Sequence, residues 1–309
     1  MKAFFPVLTW VVWAILLGPV FRQNQWECLL IMFAAIELVP RGLRHLGLPQ
    51  KEWYALLASG FCAAYFFTEY WFLALPYFIW AVWLTLREAS EIIFLKKRQL
   101  LDFVRVFALG YWVTGALFSL CFLLNFTPLG FDPIIVSLTG AHFHVAGFAL
   151  SVLVYSLIQV QSSGITRALG WATLAGMPLV AAGITLSKLG FPTILEQISA
   201  TGFVLFVLVF IWQQIALSFK AKYAETARLL WFTGSICLLF GAILAGLYAL
   251  RFQIPMQWVS IPNMKIWHGT INTLGFAWLS LLGYGAIRVN LNEAKIEPQK
   301  VQKHSTVWF

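Results

Sequence analysis

The sequence predicts an all-α, polytopic transmembrane helix bundle of about ten spans with both termini cytoplasmic. Composition is the first observation behind that reading. The 309 residues are 61% hydrophobic and only 11% charged, with a mean hydropathy of +0.81, whereas soluble domains carry about 25% charged residues. The second is pattern: apolar residues run unbroken over lengths near the ~20 that a helix needs to cross ~30 Å of hydrocarbon. Lipid gives the backbone no hydrogen bonds, and runs that do not alternate favour helices over a barrel. The third is the placement of Lys and Arg. With ten spans, 17 of the 21 fall on the side of the N-terminus, and only Arg22, Lys188, Arg251 and Lys265 fall on the other. Short cytoplasmic loops carry that excess.

The predicted spans are 4–21, 26–44, 53–69, 71–86, 103–125, 134–160, 165–187, 194–218, 229–250 and 264–288. The first follows Lys2 and runs into Gly18-Pro19 without a small-residue cleavage site, so it reads as a retained span and not a removed signal. The second carries Glu37, followed by Pro40, whose missing N–H frees a carbonyl near Ile36. The break between the third and fourth rests on Glu69. Between Arg87 and Arg105, Glu88, Glu91 and Asp102 alternate with bases, which predicts a short amphipathic helix at the membrane surface. The seventh contains Met177-Pro178 between Gly176 and Gly183, a kink with close packing. Trp10, Trp13, Trp26, Trp53, Trp71 and Trp258 fall near span ends, where indoles anchor at headgroup level. Residues 1–289 thus read as one membrane domain, and 290–309, with His304, as a polar cytoplasmic tail. His45 falls in a cytoplasmic loop.

Several function classes drop out. The net charge of +9 lies in loops between spans, which explains it without nucleic acid. Cys28, Cys62, Cys121 and Cys237 are far apart and form no C-x-x-C pair, so they read as small buried hydrophobes. There is no C-x-x-C-H haem attachment site, H-E-x-x-H pair or P-loop in the sequence.

Ionisable groups at membrane depth are costly, and each one is a candidate for function. His142 and His144 lie about 12 and 15 Å below the outer end of the sixth span, and His268 about 6 Å below that of the tenth. Glu196 sits near the outer start of the eighth span, and Glu37 mid-depth in the second. Residues i and i+2 point about 200° apart on a helix. His142 and His144 therefore cannot clamp one ion together unless the helix is distorted, which the flanking Gly140 and Gly147 would allow, although close helix packing is the commoner use of glycine in membranes. One of them faces a central pocket, and the other packs between helices against a neighbour's polar group; the spacing does not say which. His268 and Asn272, at i and i+4, share one face. A His–amide face meeting His142 or His144 across the bundle could hold a metal ion, a haem iron or a proton path.

The motifs occur in order. Leu129-Gly-Phe131 leads into Thr139-Gly-Ala-His142-Phe-His144-Val-Ala-Gly147-Phe148; Gly176-Met-Pro-Leu-Val-Ala-Ala-Gly183 follows, and then His268-Gly-Thr-Ile-Asn272-Thr-Leu-Gly275-Phe276. This series resembles the YndJ-like family of uncharacterised bacterial multi-pass membrane proteins. The resemblance runs from about Gly115 to the end of the tenth span, and implies a bacterial cytoplasmic (inner) membrane location without naming a reaction.

Three functions compete. In the first, His142 or His144 joins His268 to bind a metal or haem. In the second, His142, His144, Glu37 and Glu196, with Asn272 and Thr139 beside them, carry protons or a small polar solute through a permease. The third is a membrane assembly or stress-response scaffold. The partners expected are the lipid bilayer and a small-molecule ligand or ion.

Overall fold

The computed structural model of the protein describes residues 25–48, 53–94, 98–254 and 256–287. The predicted span at 4–21 and the predicted tail at 290–309 lie outside them. Among the described residues every regular element is helical. Six helices among the described residues are long and apolar enough to cross a membrane.

Helix α1 covers 26–45 in three pieces: Trp26–Phe33, a π-helical turn at Ala34–Leu38, and Val39–His45. Pro40 has no N–H to close on Ile36, and the widened turn sits directly before it. Tyr54 Oη donates to the carbonyl of Ala35 at 2.8 Å, satisfying one of the loosened acceptors. Helix α2, Tyr54–Phe66, ends at Phe67 (φ −120°, ψ 72°), and a second irregular residue, Tyr70 (φ −99°, ψ 40°), follows within a 3₁₀ turn. The chain thus breaks where Glu69 marks it.

Helix α3, Thr68–Phe94, does not stop at residue 86. It runs on through Arg87, Glu88 and Glu91, and α4, Leu100–Leu123, starts soon after. The separate amphipathic helix expected over 87–105 is therefore not formed. The reason is pairing. Glu88 is buried at 2% exposure and bonds Arg87 and, at 3.2 Å, Arg105 of α4. Charges that looked like a solvated face instead tie two helix ends together.

Helix α5, Pro133–Val160, is the centre of the bundle: 83% of its apolar window is buried, against 28%, 28% and 33% for α6 (Gly164–Lys188), α7 (Ile194–Ser218) and α8 (Glu225–Ala249). Those three turn large apolar side chains outward, among them Leu179, Ile198, Leu205, Trp212 and Phe240. Such a surface suits lipid and not water. Helix α6 stays unbroken through Pro178, although that proline leaves the Leu174 carbonyl without its helical donor. Tyr111 Oη supplies one, at 2.8 Å from Leu174 O and 2.9 Å from Thr173 O.

Helix α9 covers 261–287, with a π-helical stretch at Ile271–Trp278. A third π-helical stretch, Phe143–Ala149, lies in α5. The stretches of α1, α5 and α9 pack against one another at the middle of the bundle. Trp26 and Trp53 are tied inward: Trp26 Nε1 donates to Thr270 Oγ1 at 2.8 Å, and Trp53 meets Trp80 edge-on at 4.3 Å. Cys28, Cys62, Cys121 and Cys237 are all unpaired, the first three buried.

Candidate functional site

Because consecutive helices run antiparallel, the loops 124–132, 189–193 and 250–260 share one end of the bundle. A cavity of about 750 Å³ extends inward from that end between α1 and α4 to α9. Asp132, Lys188 and Arg251 line its mouth, and Leu150, Val207 and Phe276 its floor. Between these levels His142, His268 and Asn272 form a polar waist in walls that are otherwise mostly apolar. His142, nine residues into α5, lies about 14 Å from the mouth along that helix, and Leu150 about 26 Å.

Helical spacing separates the two histidines of α5. His142 is exposed to the cavity, whereas His144 is fully buried on the opposite side. The π-helical turn that begins at Phe143 advances each residue by less than an α-helix does, and still leaves the two rings on opposed faces. His142 Nδ1 lies 2.7 Å from Leu138 O, and across the cavity His268 Nδ1 lies 2.9 Å from Gly241 O. A carbonyl only accepts, so each Nδ1 carries the proton, and the neutral ring presents Nε2 as a lone pair. The two rings stand 6.1 Å apart between centroids. The Asn272 amide nitrogen sits 3.2 Å from both nitrogens of His268, and Gly241 makes room for it, since a Cβ there would collide with the amide.

His144 belongs to a different environment. Its Nδ1 lies 2.8 Å from Gly140 O and its Nε2 3.3 Å from Tyr77 Oη, which also accepts from Trp112 Nε1 at 2.8 Å. Gly115 of α4 lies flat against the ring: a Cβ there would sit 2.5 Å from His144 Nδ1. Both nitrogens are thus engaged and closed off from the cavity. Of the three histidines, the structure brings His142 and His268 together and keeps His144 apart. Among the described residues no group of three or more His, Cys, Asp or Glu side chains is placed to hold a metal ion.

The other predicted residues divide in the same way. Thr139 lines the cavity, its hydroxyl donating to Ile135 O at 2.7 Å. Glu196 lines it near the mouth, bound at 2.6 Å to Arg251, whose guanidinium rests 4.1 Å from the rings of Tyr248 and Phe252. Glu37 does not reach the cavity. It is 1% exposed and bonded to Arg41 at 2.5 Å, one turn along α1, and to Trp278 Nε1 at 3.1 Å. The arginine next to Pro40 supplies the partner that a lone buried acid would lack.

A further ion pair lies in the cavity wall. Glu27, 1% exposed, lies 3.2 Å from Lys265 Nζ and accepts from Ser137 Oγ at 3.2 Å, joining α1, α5 and α9 in the cavity wall. The signal was available: opposite charges open the second and tenth spans, which alternation places at one end of the bundle. Lys265 opens the predicted span 264–288, where its charge counts toward topology, and its pairing with Glu27 follows only once α1 and α9 are adjacent.

Chemically, the waist offers imidazole lone pairs in an apolar chamber, which can accept hydrogen bonds or protons. An all-helical chain with an apolar outer surface and a histidine-walled interior cavity defines a membrane-type helical bundle. The protein belongs to the YndJ-like protein family, whose profile matches residues 29–276, a region that includes His142, His144, His268 and Asn272. No curated protein and no solved structure matches the chain.

Proposed function

We propose that the protein is a multi-pass membrane protein that binds a small molecule in its interior cavity, with His142 and His268 as the recognising pair. One observation carries the reading: two imidazoles stand 6.1 Å apart in the wall of a cavity of about 750 Å³, each held by a backbone carbonyl at Nδ1. Ligand pockets of about 300–1,000 Å³ are mainly apolar with a few placed polar groups, and this cavity has that character. The hydrogen bond at Nδ1 fixes each ring's tautomer and orientation, as second partners do for ligand-binding histidines.

The proposal includes the finer topology: about ten crossings, both termini cytoplasmic, in a bacterial inner membrane, with the mouth facing outward. The residues that line the cavity run from Asp132, Lys188 and Arg251 no deeper than Leu150, Val207 and Phe276, which favours binding over an open path; transport would require those apolar residues to part.

The test is the molecule that travels with the protein. Mass spectrometry of purified wild type is expected to find a co-purifying small molecule that is absent from His142→Ala and from His268→Ala, while both variants keep their melting temperature. Retention of the same molecule by the double variant would sink the reading. Orientation is checked with Lys188→Cys in intact cells: an impermeant maleimide should label it, and protection until lysis would reverse the topology.

A further inference from the structure

We propose that the ligand is a neutral, mainly apolar molecule bearing a hydroxyl group, an alcohol or a phenol, whose O–H donates to His142 Nε2 while its hydrocarbon part fills the cavity floor. This rests on the cavity-binding reading above and adds the chemical class.

Hydrogen-bond bookkeeping at the waist gives the head group. His142 donates at Nδ1 to Leu138 O, so its Nε2 can only accept, and among the described residues it has no hydrogen-bond partner. His268 likewise donates at Nδ1, to Gly241 O, and its Nε2 faces the Asn272 amide nitrogen at 3.2 Å. Asn272 Oδ1 is buried, packed against Gly241. Thr139 spends its proton on Ile135 O. At the two rings the open group is thus an acceptor, which a ligand meets by bringing a donor, and the hydroxyl-bearing Thr273, one residue beyond Asn272, also lines the cavity.

Charge excludes the simplest alternatives. An anionic head group needs cations, but Arg251 is bound to Glu196 and Lys265 to Glu27, and Lys188 stands at the mouth, its ammonium 5.9 Å from the Phe131 ring centroid. A divalent metal such as zinc takes about four protein or water ligands, and the waist supplies two imidazoles. Below it, Leu150, Val207 and Phe276 offer only hydrocarbon. A polar solute would be stripped of water there without compensation. An apolar tail there leaves the hydroxyl at the level of His142.

The experiment uses the full-length protein in lipid nanodiscs and a 4-alkylphenol with a diazirine in its tail. Photolabelling is expected on peptides of α5, α7 and α9 that line the floor. In competition, 4-octylphenol should displace the probe about tenfold better than 4-octylanisole, its methyl ether without the O–H, and octanoate should not displace it. In His142→Phe the phenol and the anisole should become equal, whereas His142→Gln, which keeps an acceptor, should retain the preference. Should His142→Phe fail to fold, the wild-type ratio and the Gln variant still decide. Equal displacement in wild type, with labelling inside the cavity, overturns the hydroxyl class and leaves the cavity reading standing. Labelling that avoids the cavity overturns both. Stoichiometric binding of zinc or copper alone, lost in His142→Gln and His268→Ala, overturns the hydroxyl class in favour of a metal site.

Discussion

His142 and His144 are two residues apart on one helix, yet their surroundings have opposite physical character. At His144 both ring nitrogens are matched: Gly140, Tyr77 and Trp112 form a hydrogen-bonded chain, and Gly115 lets α4 press against the ring. Around His142 the ring is fixed by one bond at Nδ1 and otherwise faces open space. The difference teaches that a histidine motif in a membrane helix need not be one site. One side chain of the pair holds the helices together, and the other is presented by them.

That contrast can be broken from either side. The largest effect on stability is expected at His144. Its replacement by Ala removes a fully buried ring and leaves Gly140 O and Tyr77 Oη without it, a loss of about 3 kcal/mol or more, read as a lower melting temperature in detergent. Next is Gly115→Ala, which pushes a methyl group to within van der Waals overlap of the same ring and should cost about 1–3 kcal/mol. A stability equal to wild type in that variant would mean that α4 and α5 are not in close contact. Tyr77→Phe comes third: it takes the acceptor from Trp112 Nε1 and should cost about 1 kcal/mol, measurable by chemical unfolding. Smallest is His142→Ala, expected within about 0.5 kcal/mol of wild type, because the ring borders a cavity and closes no packed interface. Ligand binding should rank the other way, with His142→Ala losing most. A His142 variant as destabilised as His144→Ala would erase the distinction between the two faces.

Some of this was legible beforehand. Apolar run length placed the helices of the described residues, and the break at Glu69 appears as two irregular residues, Phe67 and Tyr70. The 200° separation of i and i+2 was enough to keep His142 and His144 from sharing a ligand. Other features were not legible because they depend on partners distant in sequence. Glu27 meets Lys265 only when α1 and α9 are adjacent. Glu88 looks like part of a surface helix until Arg105 of the next helix reaches it. Glu37 looked like an unpaired acid, although Arg41 stood one turn away. That pair, unlike the other two, is a local i,i+4 contact whose spacing is written in the sequence. The π-helical turns in α5 and α9 have no nearby proline to announce them. They accompany the close packing of α1, α5 and α9.

By itself, the sequence determined the helical class, the approximate limits of the apolar segments and the opposed directions of the histidine pair, because each follows from chain-local periodicity and from the cost of burying polar backbone in lipid. Only the tertiary structure decided which histidine faces the cavity, which charges pair and where the cavity lies. These depend on the rotation of each helix about its own axis, which is set by how neighbouring side chains fit. A close fit against Gly115 of α4 turns His144 of α5 into the packed interface, and the same rotation turns His142 toward His268.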